Sequence, residues 1–315
     1  MNEGTGSLRD PRILLPFLLI TLIWSSTWIV IKDQLGPDSA QSVPPIWSVS
    51  YRFLIAGAAM FAIARIGGTR VRLDRRGHGL AALLGLFQFV ANYNLVYAAE
   101  VYVTSGLVAV VFALLIVPNA ALARILFGAR VDRRFILGSA VALAGVALLF
   151  AQELRAAQAA PNAVLAGLGF TLIAVLAASA GNVMQLMESV KARSIAAMLG
   201  WAMLYGGIAD AMLAWAAFGP PVAEPRIGYW LGLLYLSIVA SALAFWLYYR
   251  IIRAIGPAKA AYSSVLIPVA AMAISTFAED YRWSALAIAG ALLALSGLVI
   301  ALASRRSAMV RPITD

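Results

Sequence analysis

Long uninterrupted apolar runs constrain this chain more than any other feature of its sequence. A helix needs about 20 apolar residues to cross a hydrocarbon core roughly 30 Å thick. Runs of about this length fill the chain, at residues 13–31, 46–66, 79–99, 103–124, 135–151, 163–187, 195–218, 227–249, 257–277 and 284–303. They are continuously apolar rather than alternating, which favours helices over barrel strands. The sequence therefore predicts an all-α integral membrane protein with ten transmembrane helices.

Composition argues against a soluble protein and against any function that needs cysteine. Hydrophobic residues make up 63% of the chain and charged residues only 12%, whereas about a quarter of a soluble domain is charged. The chain has no cysteine, so it has no disulfide, thiol chemistry or cysteine-based metal site. The first apolar run is too long for a signal-peptide core, which indicates a retained helix. The loops are too short to hold a soluble catalytic domain.

The distribution of basic residues predicts the orientation in the membrane. With both termini placed in the cytoplasm, 19 of the 24 Lys and Arg residues fall in cytoplasmic segments and four in external ones, while Arg52 alone lies inside a span. Basic residues accumulate on the cytoplasmic side of membrane proteins. We therefore expect a multi-pass protein of the bacterial cytoplasmic (inner) membrane with both termini inside. The same rule accounts for the net charge of +10 without a nucleic-acid partner.

The sequence also repeats itself. A shift of 150 residues aligns the pairs Gly57 and Gly207, Gly106 and Gly256, Pro118 and Pro268, and Phe127 and Phe277. The repeats are 13–151 and 163–303, between short cytoplasmic tails at 1–12 and 304–315. Each repeat holds five spans, an odd number, so the two enter the membrane from opposite sides. Inverted repeats are typical of secondary transporters, whose substrate site lies near the midplane between the repeats.

Prolines and glycines indicate where the helices bend and where they touch. Pro118 and Pro268 lie mid-span, where proline removes a helical hydrogen bond and kinks the helix. They are either a pair of gating hinges or static kinks required by packing. Four glycines in the fifth and tenth spans, where small residues let helices approach closely, predict tight packing: Gly138, Gly145, Gly290 and Gly297.

Several motifs carry a resemblance to a known family. Residues 24–32, WSSTWIVIK, resemble the W-G-S-x-F-x-x-x-K signature in the first helix of EamA-type members of the drug/metabolite transporter superfamily. Arg52-Phe53 matches their R-F pair, residues 248–268 resemble their helix 8–9 motif, and residues 277–279 resemble their closing F-x-E. One departure is Ala129, which stands where the first repeat should carry an acidic residue opposite Glu279. The resemblance implies a ten-helix transporter, most similar to bacterial exporters of amino acids and related metabolites.

Polar and aromatic side chains within the spans are candidates for a substrate cavity. Polar groups in a membrane usually face a bundle interior, and residues four apart share a helix face. The candidates come from both repeats: Trp24, Trp28, Gln88, Asn92, Tyr93, Tyr97, Ser179, Asn182, Gln185, Ser237, Ser241, Tyr248 and Tyr262. Amides and hydroxyls would bind a polar head while aromatic rings cover an apolar body. Alternatively, the serines bond their own backbone, and Trp47, Trp230 and Trp283 belong to the interfacial belt.

Charge inside the spans is scarce. Arg52 and Asp210 either pair with each other or separately attract the carboxylate and the ammonium group of a substrate, because unpaired charge at depth is costly. Residues near span ends are expected to be solvated or capping: Glu100, Glu188, Lys259 and Glu279. His78, the one histidine, is expected to be a solvated loop residue. A phosphorylated substrate would need several converging cations, and none converge at depth.

These patterns predict a secondary transporter that exports amino acids, aromatic or large hydrophobic ones, and related small metabolites by alternating access. A lipophilic-cation or multidrug exporter is the nearest alternative, with Asp210 or Glu188 as its essential carboxylate. A membrane scaffold or a lipid-modifying enzyme is the alternative from another class. No catalytic residue, metal or cofactor is expected, and the partners are a small amphiphilic substrate and membrane lipid. The energy coupling stays open.

Overall fold

The computed structural model describes residues 10–35, 43–128, 133–156, 161–255, 263–278 and 282–302. Within these residues the chain forms ten long helical segments and a one-turn helix at Glu188–Lys191. Seven of the long segments are continuous: α1 Pro11–Leu35, α2 Pro45–Ile66, α5 Arg133–Ala156, α6 Pro161–Met184, α7 Ile195–Phe218, α9 Ser263–Ala278 and α10 Ala285–Leu302. The all-α fold expected from the apolar runs is confirmed.

The other three segments change their helical geometry along their length. The segment α3 runs as Arg75–Leu84, a π-helix at Gly85–Ala91, and Asn92–Tyr102. The segment α4 is divided into Ser105–Ala113 and Ile116–Phe127. The segment α8 runs as Ile227–Leu234, a π-helix at Tyr235–Leu243, and Ala244–Ile255. Because π-helical turns are rare and often mark functional sites, α3 and α8 are distinguished from the other helices.

The described helices carry enough apolar surface to lie in lipid. By length and hydropathy, seven of the described helices qualify as membrane spans, α1 to α4 and α6 to α8, and Ala285–Gly297 of α10 is a shorter apolar helix. Large apolar side chains on several helices are more than 60% exposed, among them Leu15, Leu22, Ile125, Met212 and Leu292. So much exposed apolar surface requires a partner other than water, which a bilayer provides.

The two repeats are visible in the positions of the helices. The segments α1 and α6 begin 150 residues apart, as do α2 and α7 and the two π-helices. Packing follows the same rule: α2 lies along α7 and α5 along α10, while α1 contacts α8 and α9 just as α6 contacts α3 and α4. Exchanging the repeats therefore reproduces these contacts. The molecule is a two-repeat bundle in which α2–α7 and α5–α10 are the most extensive contacts between the halves.

The glycines of α5 and α10 pack as predicted. A Cβ atom on Gly145 would lie 2.2 Å from the backbone nitrogen of Ala294, and one on Gly297 would lie 2.2 Å from that of Ala142. Real Cβ atoms do not approach backbone atoms so closely, so these positions accept only glycine without a backbone shift. The close approach of α5 and α10 is confirmed.

The two prolines differ in their effect on the helix. Proline has no N–H to bond the carbonyl four residues earlier, and α4 breaks at Leu114–Leu115, just before Pro118. There the N–H groups of Leu114 and Leu115 bond carbonyls three residues back. Pro268 instead lies inside the continuous helix α9. The kink is present at Pro118, and the gating role of both prolines stays a prediction.

Candidate functional site

A chain of ring contacts joins α1, α2 and α3 of the first repeat to α8 of the second. We call it the aromatic cluster, and its members are Trp24, Phe53, Phe89, Tyr93, Phe245, Tyr248 and Tyr249. Trp24 lies 5.0 Å from Tyr248 and 5.6 Å from Phe245 between ring centroids. Phe245 continues to Phe89, and Phe89 to Phe53 at 4.7 Å. Three predicted site residues, Trp24, Tyr93 and Tyr248, thus meet between the halves.

Trp24 is also fixed by a hydrogen bond. Its indole Nε1 donates to the carbonyl oxygen of Ala240 at 3.2 Å, inside the π-helix of α8. Two residues away on α1, the Ser26 hydroxyl lies 2.7 Å from the Tyr235 hydroxyl, at the start of the same π-helix. Because Trp24, Tyr93 and Tyr248 are all only partly buried, their rings retain surface that a ligand could contact.

Arg52 is completely buried beside the aromatic cluster, with 0% of its surface exposed. Its Nε donates to the Ser241 hydroxyl at 3.0 Å, so Ser241 serves as a partner of the arginine. The guanidinium carbon lies 4.4 Å from the ring centroid of Tyr93 and 5.4 Å from that of Phe53, within the range of cation–π attraction. In the part of the chain described, Nη1 and Nη2 have no hydrogen-bond partner.

Asp210 and Arg52 do not pair, so the predicted alternative of a mutual ion pair is wrong. Asp210 is buried on α7, and its Oδ1 accepts a hydrogen bond from Nδ2 of Asn94 at 2.8 Å. Among the described residues no cation lies within 4.0 Å of Asp210, and its Oδ2 has no hydrogen-bond partner. Each charge is instead held by a neutral side chain of another helix.

Two amides of α3 lie at the contact with α6. A Cβ on Gly181 would be 2.6 Å from Oε1 of Gln88, so the absent side chain leaves room for this amide. Asn92 donates from Nδ2 to the carbonyl of Gln88 at 3.2 Å. Both side chains are buried, and neither Oε1 of Gln88 nor Oδ1 of Asn92 has a partner among the described residues. Two hydrogen-bond acceptors therefore remain available there.

The other predicted site residues divide into three groups. Trp28 packs on Phe112 at 5.1 Å, and Ser179 is fully buried, with their Nε1 and Oγ unpartnered in the described chain. Asn182 on α6 and Gln185, which follows its last residue, are partly buried. Three residues have intramolecular partners: Ser237 donates to its own backbone at Leu233, Gln185 to the Gly181 carbonyl at 3.5 Å, and Tyr97 to Gln34 at 2.6 Å. Tyr262 lies outside the described residues, and substrate contact by any of these residues stays a prediction.

Three expectations about span ends are wrong. Glu100 is fully buried rather than solvated. The Lys32 ammonium group donates to the backbone carbonyl of Glu100, where a cation complements the carbonyl end of α3. His78 lies in the first turn of α3, with Nδ1 2.7 Å from the Tyr205 hydroxyl. Trp47 is buried against Tyr51 instead of facing the interface.

Two other expectations concern exposed or masked positions. Glu188 is exposed and pairs with Lys191 at 2.9 Å, as a solvated residue should. Lys259 and Glu279 lie outside the described residues, as does Ala129.

At one end of the bundle, which we call the Asp74 end, polar contacts join the two halves. Asp74 accepts from the Arg193 guanidinium on both carboxylate oxygens, at 2.6 and 2.8 Å from Nη2. This contact and the N-terminal cap of α3 lower the pKa of Asp74 below its ordinary value of 3.8. Trp201 Nε1 also donates to the Val71 carbonyl at 2.8 Å. The loop before α3 is thereby fastened to α7.

The opposite end, the Arg226 end, is joined by a related set. The Tyr51 hydroxyl donates to the Val222 carbonyl at 3.1 Å, and Tyr51 precedes Trp201 by 150 residues. The Ser48 and Tyr229 hydroxyls lie 2.7 Å apart. The Arg226 guanidinium reaches Asp33 at 3.9 Å. Aromatic side chains of α2 and α7 thus each donate a hydrogen bond to a loop of the other half, Tyr51 to the loop before α8 and Trp201 to the loop before α3.

Sequence reasoning missed Asn94 and Gln34. Asn94 lies two positions after Asn92 and therefore on a different side of α3 from the pair Gln88 and Asn92. A signal was available, because a buried carboxylate such as Asp210 needs a donor. Gln34 lies at the end of α1, beyond the predicted span, and no pattern in the sequence singles it out.

Comparison with known proteins agrees with this architecture. The sequence pattern of the EamA-like transporter family matches residues 12–151 and again residues 165–303, one match for each half. The chain belongs to the EamA-like transporter family. The family resemblance read from residues 24–32 and 52–53 is confirmed, and the protein is a multi-pass membrane transporter rather than a scaffold.

Individual relatives cover most of this family member. A "Probable amino-acid metabolite efflux pump" of Salmonella typhimurium is 26% identical over 292 residues, covering 90% of this chain and 92% of the relative. The "Uncharacterized inner membrane transporter YedA" of Escherichia coli K12 is 28% identical over 283 residues, covering 84% and 83%. A solved crystal structure superposes with a TM-score of 0.66 at 20% identity, covering 92% of this chain and 96% of the other, and shares the fold.

Proposed function

We propose that this transporter exports amino acids, aromatic or large hydrophobic ones, and related small metabolites from the cytoplasm across the inner membrane. The observation that carries the proposal is the two-sided surface of α3, which joins partly buried rings of both repeats toward α1 and α8 and holds, at its contact with α6, two amide oxygens without a partner among the described residues. Indole and phenol rings suit an apolar body, and the free oxygens of Gln88 and Asn92 suit an ammonium group. The efflux activity in the name of the Salmonella relative supports the direction.

We also propose that the two halves alternate access around this surface of α3. At the Asp74 end and the Arg226 end, the equivalent residues Trp201 and Tyr51 each donate a hydrogen bond to a loop of the other half. One end could therefore separate while the other stays joined, which is how inverted repeats create two related states. With basic residues inside, the Asp74 end faces the cytoplasm. Pro118 and Pro268 are the proposed bending points.

Counterflow in proteoliposomes tests the substrate. Vesicles with purified protein are preloaded in turn with tryptophan, phenylalanine, threonine, glutamate or a lipophilic cation, and uptake of labelled tryptophan is followed. We expect saturable accumulation that tryptophan and phenylalanine drive best. Exchange driven by the cation alone would reject the proposal.

Two variants connect this transport to the surface of α3. Asn92→Ala should lower tryptophan exchange about tenfold, as expected for one lost hydrogen bond to a charged group. Ala242, which stands 150 residues after Asn92, gives the matched control: Ala242→Ser alters the equivalent position of α8 and should leave exchange within about twofold, as for a change that removes no substrate contact. Equal losses in both variants would remove Asn92 from the site.

A lipophilic-cation exporter remains the second candidate, because Asp210 is a buried carboxylate with no cation partner in the described chain. Asp210→Asn separates the two functions. Asparagine keeps an oxygen for the Asn94 amide, so amino-acid exchange should persist. If wild-type protein exchanges the cation and Asp210→Asn does not, the second candidate is favoured.

A further inference from the structure

We propose that Arg52 recognises the carboxylate group of the transported amino acid. This inference rests on the proposed function and assigns one recognition element to it. It starts from the unused hydrogen-bonding capacity of a guanidinium. Arginine presents five N–H donors in a planar fork, and here one of them, on Nε, is used by Ser241. The two terminal nitrogens have no protein acceptor in the described residues.

The surroundings of Arg52 supply attraction without neutralising its charge. The four ion pairs between described residues involve Lys191, Arg193 and Arg226 at the ends of the bundle, so none of them includes Arg52. The rings of Tyr93 and Phe53 attract the cation through their faces. The Tyr97 hydroxyl oxygen is a neutral acceptor beside the guanidinium and donates its own proton to Gln34. Glu100, a buried carboxylate further along α3, acts on Tyr97 but forms no ion pair with Arg52 among the described residues. An anion in direct contact is therefore the missing partner.

Burying an arginine without an anion is costly, since a charge in a membrane interior favours partners of opposite charge. The cost is understandable where a ligand supplies the anion. A carboxylate matches the terminal nitrogens in a bidentate geometry that lysine cannot reproduce. A neutral or purely cationic ligand would gain nothing from this site.

The position of Arg52 also suits a substrate with an aromatic body. Its partners lie on α3 and α8, the helices that carry the π-helical segments, and Phe53 and Tyr93 belong to the aromatic cluster. A carboxylate held by Arg52 would leave the rest of an amino acid directed along rings from both halves. Tyr93 covers the guanidinium and is itself partly exposed, so movement of this ring would uncover the terminal nitrogens.

Discrimination between tryptophan and tryptophanamide tests the inference, because the amide replaces the carboxylate by a neutral carboxamide. The comparison is made at about pH 6, where both compounds carry the ammonium group. Competition against labelled tryptophan is measured with wild-type protein in proteoliposomes. We expect the amide to compete about 10- to 100-fold more weakly, the range for hydrogen bonds to a charged group. Equal competition would overturn the inference while leaving amino-acid transport intact. Absence of any amino-acid exchange would instead reject the proposed function itself.

Variants show whether Arg52 is the source of the discrimination. Arg52→Gln should weaken competition by tryptophan to the level of the amide and leave the amide unchanged, and Arg52→Lys should recover only part of the difference. Arg65→Gln, an exposed arginine on the same helix, is the matched control and should behave as wild type. Equal weakening of acid and amide in Arg52→Gln would assign Arg52 a structural role only. If that variant does not fold, the wild-type comparison still decides.

Discussion

The two most extensive contacts between the halves, α5–α10 and α2–α7, are built differently. Between α5 and α10, the closest approaches join backbone atoms, with glycines directly against the opposing chain. Between α2 and α7, the fit is looser. A Cβ on Gly207 would lie 2.8 Å from the backbone nitrogen of Leu54 and one on Gly57 3.1 Å from that of Leu204, against 2.2 Å at α5–α10, and the Ser50 hydroxyl donates to the Gly207 carbonyl at 2.9 Å. The α2–α7 contact also carries Arg52, Asp210 and the polar contacts at both ends.

We propose that this difference separates a fixed contact from a mobile one. Backbone atoms packed through glycine have a single close fit, because any sliding brings them into collision. Hydrogen bonds and ion pairs at accessible ends can break and reform with little net cost, since water replaces the lost partner. We therefore assign the alternating motion to α2–α7 and the permanent joining of the repeats to α5–α10.

The largest effect is expected from filling the α5–α10 contact. In Gly297→Leu, the new side chain would begin 2.2 Å from the nitrogen of Ala142, so the helices must separate. Overpacking typically costs about 1–3 kcal/mol, and a backbone collision lies at or above the top of that range. Thermal unfolding in detergent, followed by size-exclusion chromatography, should show loss of the folded protein.

Gly169→Leu is the control for that variant, because a Cβ at Gly169 meets nothing within 4 Å. It should unfold at the wild-type temperature. If both variants, or neither of them, lost stability, the α5–α10 contact would not be the fixed one.

A smaller effect is expected from releasing the Asp74 end. Arg193→Gln removes the ion pair with Asp74 and should shift the population toward the state open at that end, by a few-fold because the pair is partly exposed. The chain has no cysteine, so maleimide labels only a single cysteine introduced beneath the contact. The labelling rate then measures how accessible that position is. Lys191→Gln, which breaks the pair with Glu188 inside one half, should leave the labelling rate unchanged.

The smallest effect is expected from pH. Arg193 holds the pKa of Asp74 below its ordinary value of 3.8. A lowered pKa in the folded state makes the contact stabilising above the unfolded value, and the contribution is lost only as pH falls through the lowered value. Labelling at the Asp74 end, divided by that of a fully exposed reference cysteine because maleimide reacts with the thiolate, should therefore be constant between pH 8 and pH 5. A normalised rate that changes over this interval would point to a titratable group other than Asp74.

Much of the fold follows from the sequence because lipid imposes simple rules. Apolar length determined the spans, the 150-residue offset determined the equivalent helices, and Gly145 and Gly297 identified the close contact. The π-helices were not predicted. They depend on packing across helices, as where a Cβ at Gly85 would lie 2.6 Å from the Ala202 carbonyl, and no local pattern encodes such a contact.

The candidate site was predictable only in part. Trp24, Tyr93 and Tyr248 converge because large aromatic residues on inward faces have few other places to pack. Rules for span ends failed at Glu100 and Trp47, since proximity to a helix end does not show whether another helix covers it. The separate partners of Arg52 and Asp210 depend on the rotation of α8 against α2 and of α3 against α7, which the sequence does not specify.

The most direct test of a mobile α2–α7 contact is tryptophan counterflow in Asp74→Cys/Arg193→Cys protein before and after reaction with a short bis-maleimide. Exchange should occur in the unreacted protein and stop once the cross-link joins the halves. Glu188→Cys/Lys191→Cys, cross-linked within one half at the same end of the bundle, should keep exchanging. Undiminished exchange with the Asp74 end covalently closed would contradict alternating motion at α2–α7.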